Sequence, residues 1–240
     1  MKLMTSLAIL TALAALAPGS DRVRAADEQG VALAIIYDTS GSMREAVPDN
    51  TGGKSPKFVI ANRALAAIAK QIQAFATNTA TGAPRRIDAG LWVFEKNGAR
   101  QAVKFGPFDE AALEDWARDF STPSGSTPLG NALNAAGRTV LKSPLPHKHV
   151  LVITDGINTI GPQPAAVMPR LKQQAEQNQT SLSVHFVAFD VDAKVFDPVK
   201  QLGATVVGAS DEKQLSSQLE FIVQRKILLE EEEPKPNHVK

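Results

Sequence analysis

The sequence predicts an α/β sandwich with a mostly parallel central sheet and helices on both faces. Three observations carry this. Short apolar runs alternate with stretches of helical periodicity along most of the chain. Two runs, Val31 to Tyr37 and Val150 to Thr154, are continuous rather than alternating, as in strands buried on both faces. A single tight-turn signal, Asn97-Gly98, joins two strands, so one pair reads as an antiparallel hairpin. Strand–helix alternation with one hairpin marks a layered α/β domain.

The elements follow in order. After the Val31 run comes a polar loop, Met43 to Lys54, carrying Pro48, Asp49, Asn50, Gly52 and Gly53. Ser55-Pro56 reads as an N-cap with proline in the first turn, and Phe58, Leu65, Ile68, Ile72 and Phe75 then recur at helical spacing. Ala89 to Phe94 is a strand, and Arg100 to Phe105 its shorter, more polar hairpin partner. Helices are expected over Asp109 to Arg118 and over Pro128 to Val140, the second capped by Thr127. The Val150 strand ends on Asp155, and a helix runs from Ala165 to Gln177. Leu182 to Phe189 is a strand closed by Asp190, and Asp192 reads as the cap of a short helical turn from Ala193 to Leu202. Ala204 to Val207 is the last strand. Asp211 to Leu228 is the last helix, with Ser210 as its cap and Leu215, Leu219, Ile222 and Lys226 on one face. His147 and His149 read as a polar strand edge, and Trp92 and Trp116 as core.

The 240 residues suffice for one sizeable domain. A hydrophobic content of 43% is ample for a core, and a net charge of +1 gives nucleic acid no electrostatic footprint. Residues 1–25 read as a signal peptide: Lys2, an apolar stretch from Leu3 to Ala17, and Val23-Arg24-Ala25 as the cleavage site. Ala15-Leu16-Ala17 is a weaker site before Pro18, and an uncleaved anchor is the alternative, although the stretch is short for a membrane span. Cutting after Ala25 removes Lys2, Arg22 and Arg24 but only one acid, Asp21, so the charge moves from +1 to −1. There is no cysteine, so an exported chain gets no disulfide help; the two facts together lean toward a bacterial envelope protein, periplasmic or secreted. Residues 26–229 are expected to form the domain. Residues 230–240, with four glutamates and two prolines, read as a solvated tail.

The two continuous strands both end in aspartate, Asp38 and Asp155. In an open α/β sheet, ligands sit at the carboxyl ends of strands where strand order reverses. If these strands are neighbours there, about 4.8 Å apart, two carboxylates share one crevice. Two bare carboxylates repel and resist burial, and a divalent cation removes both problems. Ser40 and Ser42 add hydroxyls from the loop after the first strand, and Thr127 adds another from "SGSTPLGNAL". This all-oxygen set suits Mg²⁺ or Mn²⁺, with Ca²⁺ also fitting, and does not suit zinc. It leaves a coordination position open to an outside oxygen.

Asp38-Thr39-Ser40-Gly41-Ser42, Thr127 in its Ser-Thr-Pro-Leu setting, and Asp155-Gly156 together resemble the metal-ion-dependent adhesion site of von Willebrand factor A domains. The similarity runs from about Val31 to Leu228. It implies a Rossmann-like, doubly wound three-layer sandwich, with a six-stranded sheet in the order 3-2-1-4-5-6 and the hairpin strand antiparallel. It also implies a non-enzymatic binding module whose metal is completed by an acidic side chain of a partner protein. The Met43 to Lys54 loop, with Asp49, departs from the pattern; it either shapes partner choice or folds over the site.

Plainer readings stand beside these. The two aspartates could cap strand ends, the two serines could form turns, and Thr127 could be only a cap. An envelope assembly factor whose binding survives chelation is the alternative function. A metal-dependent phosphohydrolase is disfavoured: the position of its second aspartate is Ser40, and no lysine–carboxylate pair is evident in the sequence. A serine hydrolase lacks its G-x-S-x-G elbow.

Overall fold

The computed structural model describes residues 30–78 and 85–229. The expected signal peptide and acidic tail lie outside these residues. The main sheet is built from β1 (Val31–Tyr37), β4 (Ile87–Glu95), β5 (Gly98–Pro107), β6 (His147–Thr154), β7 (Ser183–Phe189) and β8 (Thr205–Ala209). Its order is β5-β4-β1-β6-β7-β8, with β5 antiparallel to β4 and every other pairing parallel. Counting main-sheet strands alone, this is 3-2-1-4-5-6. Tyr37 at the end of β1 is level with Val93 of β4 and Ile153 of β6. Strand order reverses between β1 and β6, so a crevice opens beyond their carboxyl ends.

Alternate residues of β1 feed the two halves of the core. Val31, Leu33, Ile35 and Tyr37 pack under α1 (Lys57–Thr77), α2 (Glu110–Asp119) and α6 (Glu212–Phe221). Ala32, Ala34 and Ile36 pack under α3 (Leu129–Val140), α4 (Pro164–Gln177) and the short α5 (Asp197–Gln201). The period-two alternation of side chains explains why a continuous apolar run was needed here. Trp92 is buried in the second half, and Trp116 stands edge-on to Tyr37 at 5.0 Å.

Several local readings are corrected. The polar loop contains a small ribbon, β2 (Ala46–Pro48) with β3 (Lys54–Pro56). Ser55 therefore lies in a strand and does not cap α1. Its hydroxyl donates to Asp49 Oδ2 (2.7 Å), while Asp49 Oδ1 takes the N–H of Thr51 and Gly53 and the hydroxyl of Thr51. Asp49 thus closes its own loop. The ribbon is pinned to α6: Asn50 N–H donates to Glu212, which Arg63 also grips with two bonds. Thr127 does not cap α3, which starts at Leu129 after Pro128; the free N–H of Gly130 is taken instead by Asn158 Oδ1 (3.0 Å). The last helix is capped by Asp211, not Ser210, and turns π-helical over Ile222–Leu228. The wider turns bring Ile227 and Leu228 into the core and leave Lys226 exposed. His149 is no strand edge: it is fully buried on the central strand β6, its Nδ1 3.3 Å from His185 Nε2 on β7. Asp192 caps its helical turn as expected, accepting from Lys194 N–H.

Candidate metal centre

Asp38 and Asp155 each follow the last residue of their strand, and the strands are neighbours at the switch point. Asp38 N–H donates to Ile153 C=O (2.9 Å), which holds the two strand ends level. The Asp38 carboxylate is fully buried. Its Oδ1 accepts the N–H of Ser40 (2.8 Å) and its Oδ2 the hydroxyl of Thr154 (2.5 Å). The hydroxyls of Ser40 and Ser42 lie 3.1 Å apart, and Ser42 donates to Asp155 Oδ1 (2.9 Å). A continuous line of oxygens thus runs from Ser40 to Asp155.

Thr127 reaches the same rim by two sets of loop bonds. Ser124 N–H donates to Thr39 C=O and Gly41 N–H to Gly125 C=O, so the loop after β1 carries the loop before α3. Thr127 itself is clasped by Thr159, through N–H to Thr159 Oγ1 (2.8 Å) and C=O to Thr159 N–H (3.0 Å). Gly156 sits against both hydroxyl loops: a methyl group there would stand 3.8 Å from Thr127 Oγ1 and 3.9 Å from Ser42 Oγ. The helix behind Thr127 also needs Gly130, because a side chain at that position would meet Pro162 C=O at 1.9 Å.

The electrostatics favour a cation. Burial, and then the charge of Asp155, raise the Asp38 carboxyl to about 6, although Ser40 and Thr154 pull it the other way. Burial also raises Asp155, with Ser42 and Lys57 offsetting part of the effect. The Tyr37 hydroxyl beneath is pushed up by burial, then by both aspartates. Two carboxylates in one buried crevice therefore fall short of positive charge. Among the described residues, no three His, Cys, Asp or Glu side chains gather as a metal cluster. An ion here would take hydroxyl oxygens for the remainder of its protein ligands, which fits a hard divalent cation.

Lys57 is the residue that the sequence reading missed. It begins α1 and is only 2% exposed. Its Nζ lies 3.1 Å from Asp155 Oδ2, 2.7 Å from Glu45 Oε2 and 2.9 Å from Asp190 Oδ2. Burial works against its charge, but bonds to Glu45 and Asp190 and the charge of Asp155 outweigh it and hold the ammonium firmly protonated. Two signals were present in the sequence. Lys57 is in phase with the buried stripe of Ile60, Ala61, Ala64 and Ile68, and it puts a cation in the first turn of a helix, where the dipole opposes it. A lysine–carboxylate pair therefore does exist, contrary to the sequence reading. Asp190, which follows β7, is the third partner. Thr154 and Asn158, the one bound to Asp38 and the other capping α3, were also missed.

Solved structures with this arrangement of elements show low sequence identity. The PilB minor pilin from Streptococcus sanguinis matches with TM-score 0.61 and 16% identity, over 83% of this chain and 61% of that one. The chain thus spans about three-fifths of that pilin chain's length. The vWF domain of the type V pili tip protein Mfa5 from Porphyromonas gingivalis matches with TM-score 0.57 and 14% identity, over 82% and 95%. Proximal thread matrix protein 1 from the mussel byssus, solved with a zinc-occupied MIDAS motif, matches with TM-score 0.56 and 15% identity, over 82% and 48%. No curated protein matches the chain. The model of the von Willebrand factor type A domain family matches residues 32–221. With that match over most of its length, the chain belongs to the von Willebrand factor type A domain family.

Proposed function

We propose that the chain is a divalent-cation-dependent protein-binding module. Asp38, Ser40, Ser42, Thr127 and Asp155 form a complete metal-ion-dependent adhesion site, and an Asp or Glu of a partner protein completes the ion's shell. The observation that carries this is the buried Asp38–Asp155 pair, raised in pKa and linked through Ser40 and Ser42. Mg²⁺ is the proposed ion. Mn²⁺ and Ca²⁺ also suit the donors, and the zinc in the mussel protein's motif means that donor type alone does not exclude zinc. Neutralising both carboxylates leaves a site that favours an anionic partner group. The catalytic alternative is weaker, because Ser40 stands where a phosphohydrolase needs its second aspartate.

The surface beside the site suits a protein partner. Ile157, two residues after Asp155, is 55% exposed, and Val195 is 42% exposed. They border a groove of about 400 Å³ floored by Phe196 and Val199, and among the described residues no charged one lines it. A partner segment with an acidic residue followed by an apolar one would use both features. The proposed setting is the bacterial envelope or exterior, after cleavage at Ala25. The assembly alternative, in which binding survives chelation, draws support from Lys57, whose ammonium already offsets part of the negative charge.

The test is capture of envelope proteins on immobilised chain, in Mg²⁺ and in EDTA, with Asp38→Asn and Ile157→Asp/Val195→Asp baits beside wild type. The proposal expects one partner that is lost with EDTA and with Asp38→Asn, and reduced at least fivefold by the double loop variant. Capture that is unchanged in EDTA favours the assembly alternative.

A further inference from the structure

Lys57 draws its three carboxylates from three separate segments. Glu45 follows the turn after β1, Asp155 follows β6 and Asp190 follows β7. The contact is a built one. Asp190 holds a left-handed backbone (φ 54°), uncommon for a residue with a side chain, with its carboxylate on the ammonium. Asp155 divides its oxygens, Oδ1 to the Ser42 hydroxyl and Oδ2 to Lys57.

We infer that Lys57 is a resident counter-cation of the candidate metal centre: it shares Asp155 with the bound ion, keeps the strand ends assembled without it, and sets the affinity for it. This rests on the metal-site reading above and adds the residue that tunes it. The physical argument is short. Breaking a buried ion pair by removing one partner leaves an uncompensated charge, so the apo site depends on Lys57. A divalent ion placed against Asp155 lies within a few ångströms of a fixed positive charge, in surroundings that screen poorly, so the same lysine opposes its entry. Two consequences follow, of opposite sign. Without Lys57 the apo protein is less stable, and its affinity for the ion is higher. A residue with a packing role alone would give the first and not the second. Lys57 is thus a positioning and tuning residue, acting on the ion through Asp155.

The experiment is calorimetric titration of Mn²⁺ into the purified chain, as wild type, Lys57→Met and Lys57→Arg, with melting followed by circular dichroism in EDTA and in excess Mn²⁺. The expected results are Mn²⁺ binding at least tenfold tighter in Lys57→Met, with a lower melting temperature in EDTA that excess Mn²⁺ restores. Lys57→Arg, which keeps the charge, is expected to stay within threefold of wild-type affinity. Equal or weaker binding by folded Lys57→Met overturns the inference. So does a Lys57→Met chain that stays unfolded at saturating Mn²⁺, because the ion would then be unable to take over the ammonium's role. If wild type and both variants all bind no ion, the metal-site reading itself falls and takes the inference with it.

Discussion

Two aspartates in this molecule head stretches rich in hydroxyls, and their fates differ. Asp49 stands before Thr51 and Ser55; Asp38 stands before Ser40 and Ser42. The Asp49 carboxylate is open to solvent and gathers four donors from its own loop. The Thr51 hydroxyl and then the Ser55 hydroxyl do most to hold it down to about 2. Asp38 is fully buried, receives two donors and faces a second carboxylate, and it sits at about 6. The residue types are nearly the same. Burial and the supply of donors make one a finished turn and leave the other short of positive charge. On the proposed reading, that shortfall is what a cation from outside would fill.

The largest effect is expected from Asp38→Asn. The amide keeps the shape, keeps an acceptor for Ser40 N–H, and turns its NH2 to the Thr154 hydroxyl, whose proton then goes to Gly156 C=O; the charge is removed. Cation-induced thermal stabilisation should vanish, while the melting temperature in EDTA should hold or rise. A fall of many degrees in EDTA would mean that the charge itself supports the fold.

The second effect is the dependence of stability on pH, where the two aspartates act in opposite senses. The folded state holds the Asp38 proton more tightly than the unfolded chain does. Its contribution is fully present below about pH 4 and is lost as pH rises through about 6. For a fully buried group a rise to about 6 corresponds to about 3 kcal/mol. Asp49 is depressed, so its contribution is present above about pH 4 and is lost as pH falls toward 2. Denaturant melts of the apo protein should therefore lose stability between about pH 4 and pH 6, relative to Asp38→Asn. Saturating Mg²⁺ should remove that difference. An identical profile for wild type and Asp38→Asn would contradict the burial argument.

The smallest effect belongs to Asp49→Asn. The ribbon keeps its pins to Glu212 and loses only charge-assisted bonds at an exposed loop. Melting should shift by a few degrees at most, and cation affinity should not change beyond twofold. A larger change in affinity would show that the ribbon belongs to the site.

The contrast also explains what could be read in the sequence. The sheet was legible because β1 and β6 are continuous apolar runs and the Asn97-Gly98 turn marks the one antiparallel strand. The meeting of Asp38 and Asp155 was legible because strand ends and the switch point fix where they must lie. What escaped depended on competition for hydrogen bonds between distant segments. Ser55 reads as a cap until Asp49 takes its hydroxyl; Thr127 reads as a cap until Asn158, thirty-one positions on, takes the free N–H of α3. Lys57 escaped because a lysine at a helix start reads as solvent-facing. Only the folded rim brings Glu45, Asp155 and Asp190 to it.

The most direct measurement is a count of Mn²⁺ bound at neutral pH by electron paramagnetic resonance of the free ion, on wild type, Asp38→Asn and Asp49→Asn. The account predicts one ion for wild type, one for Asp49→Asn and none for Asp38→Asn. An ion retained by folded Asp38→Asn, or one lost by Asp49→Asn, would contradict it.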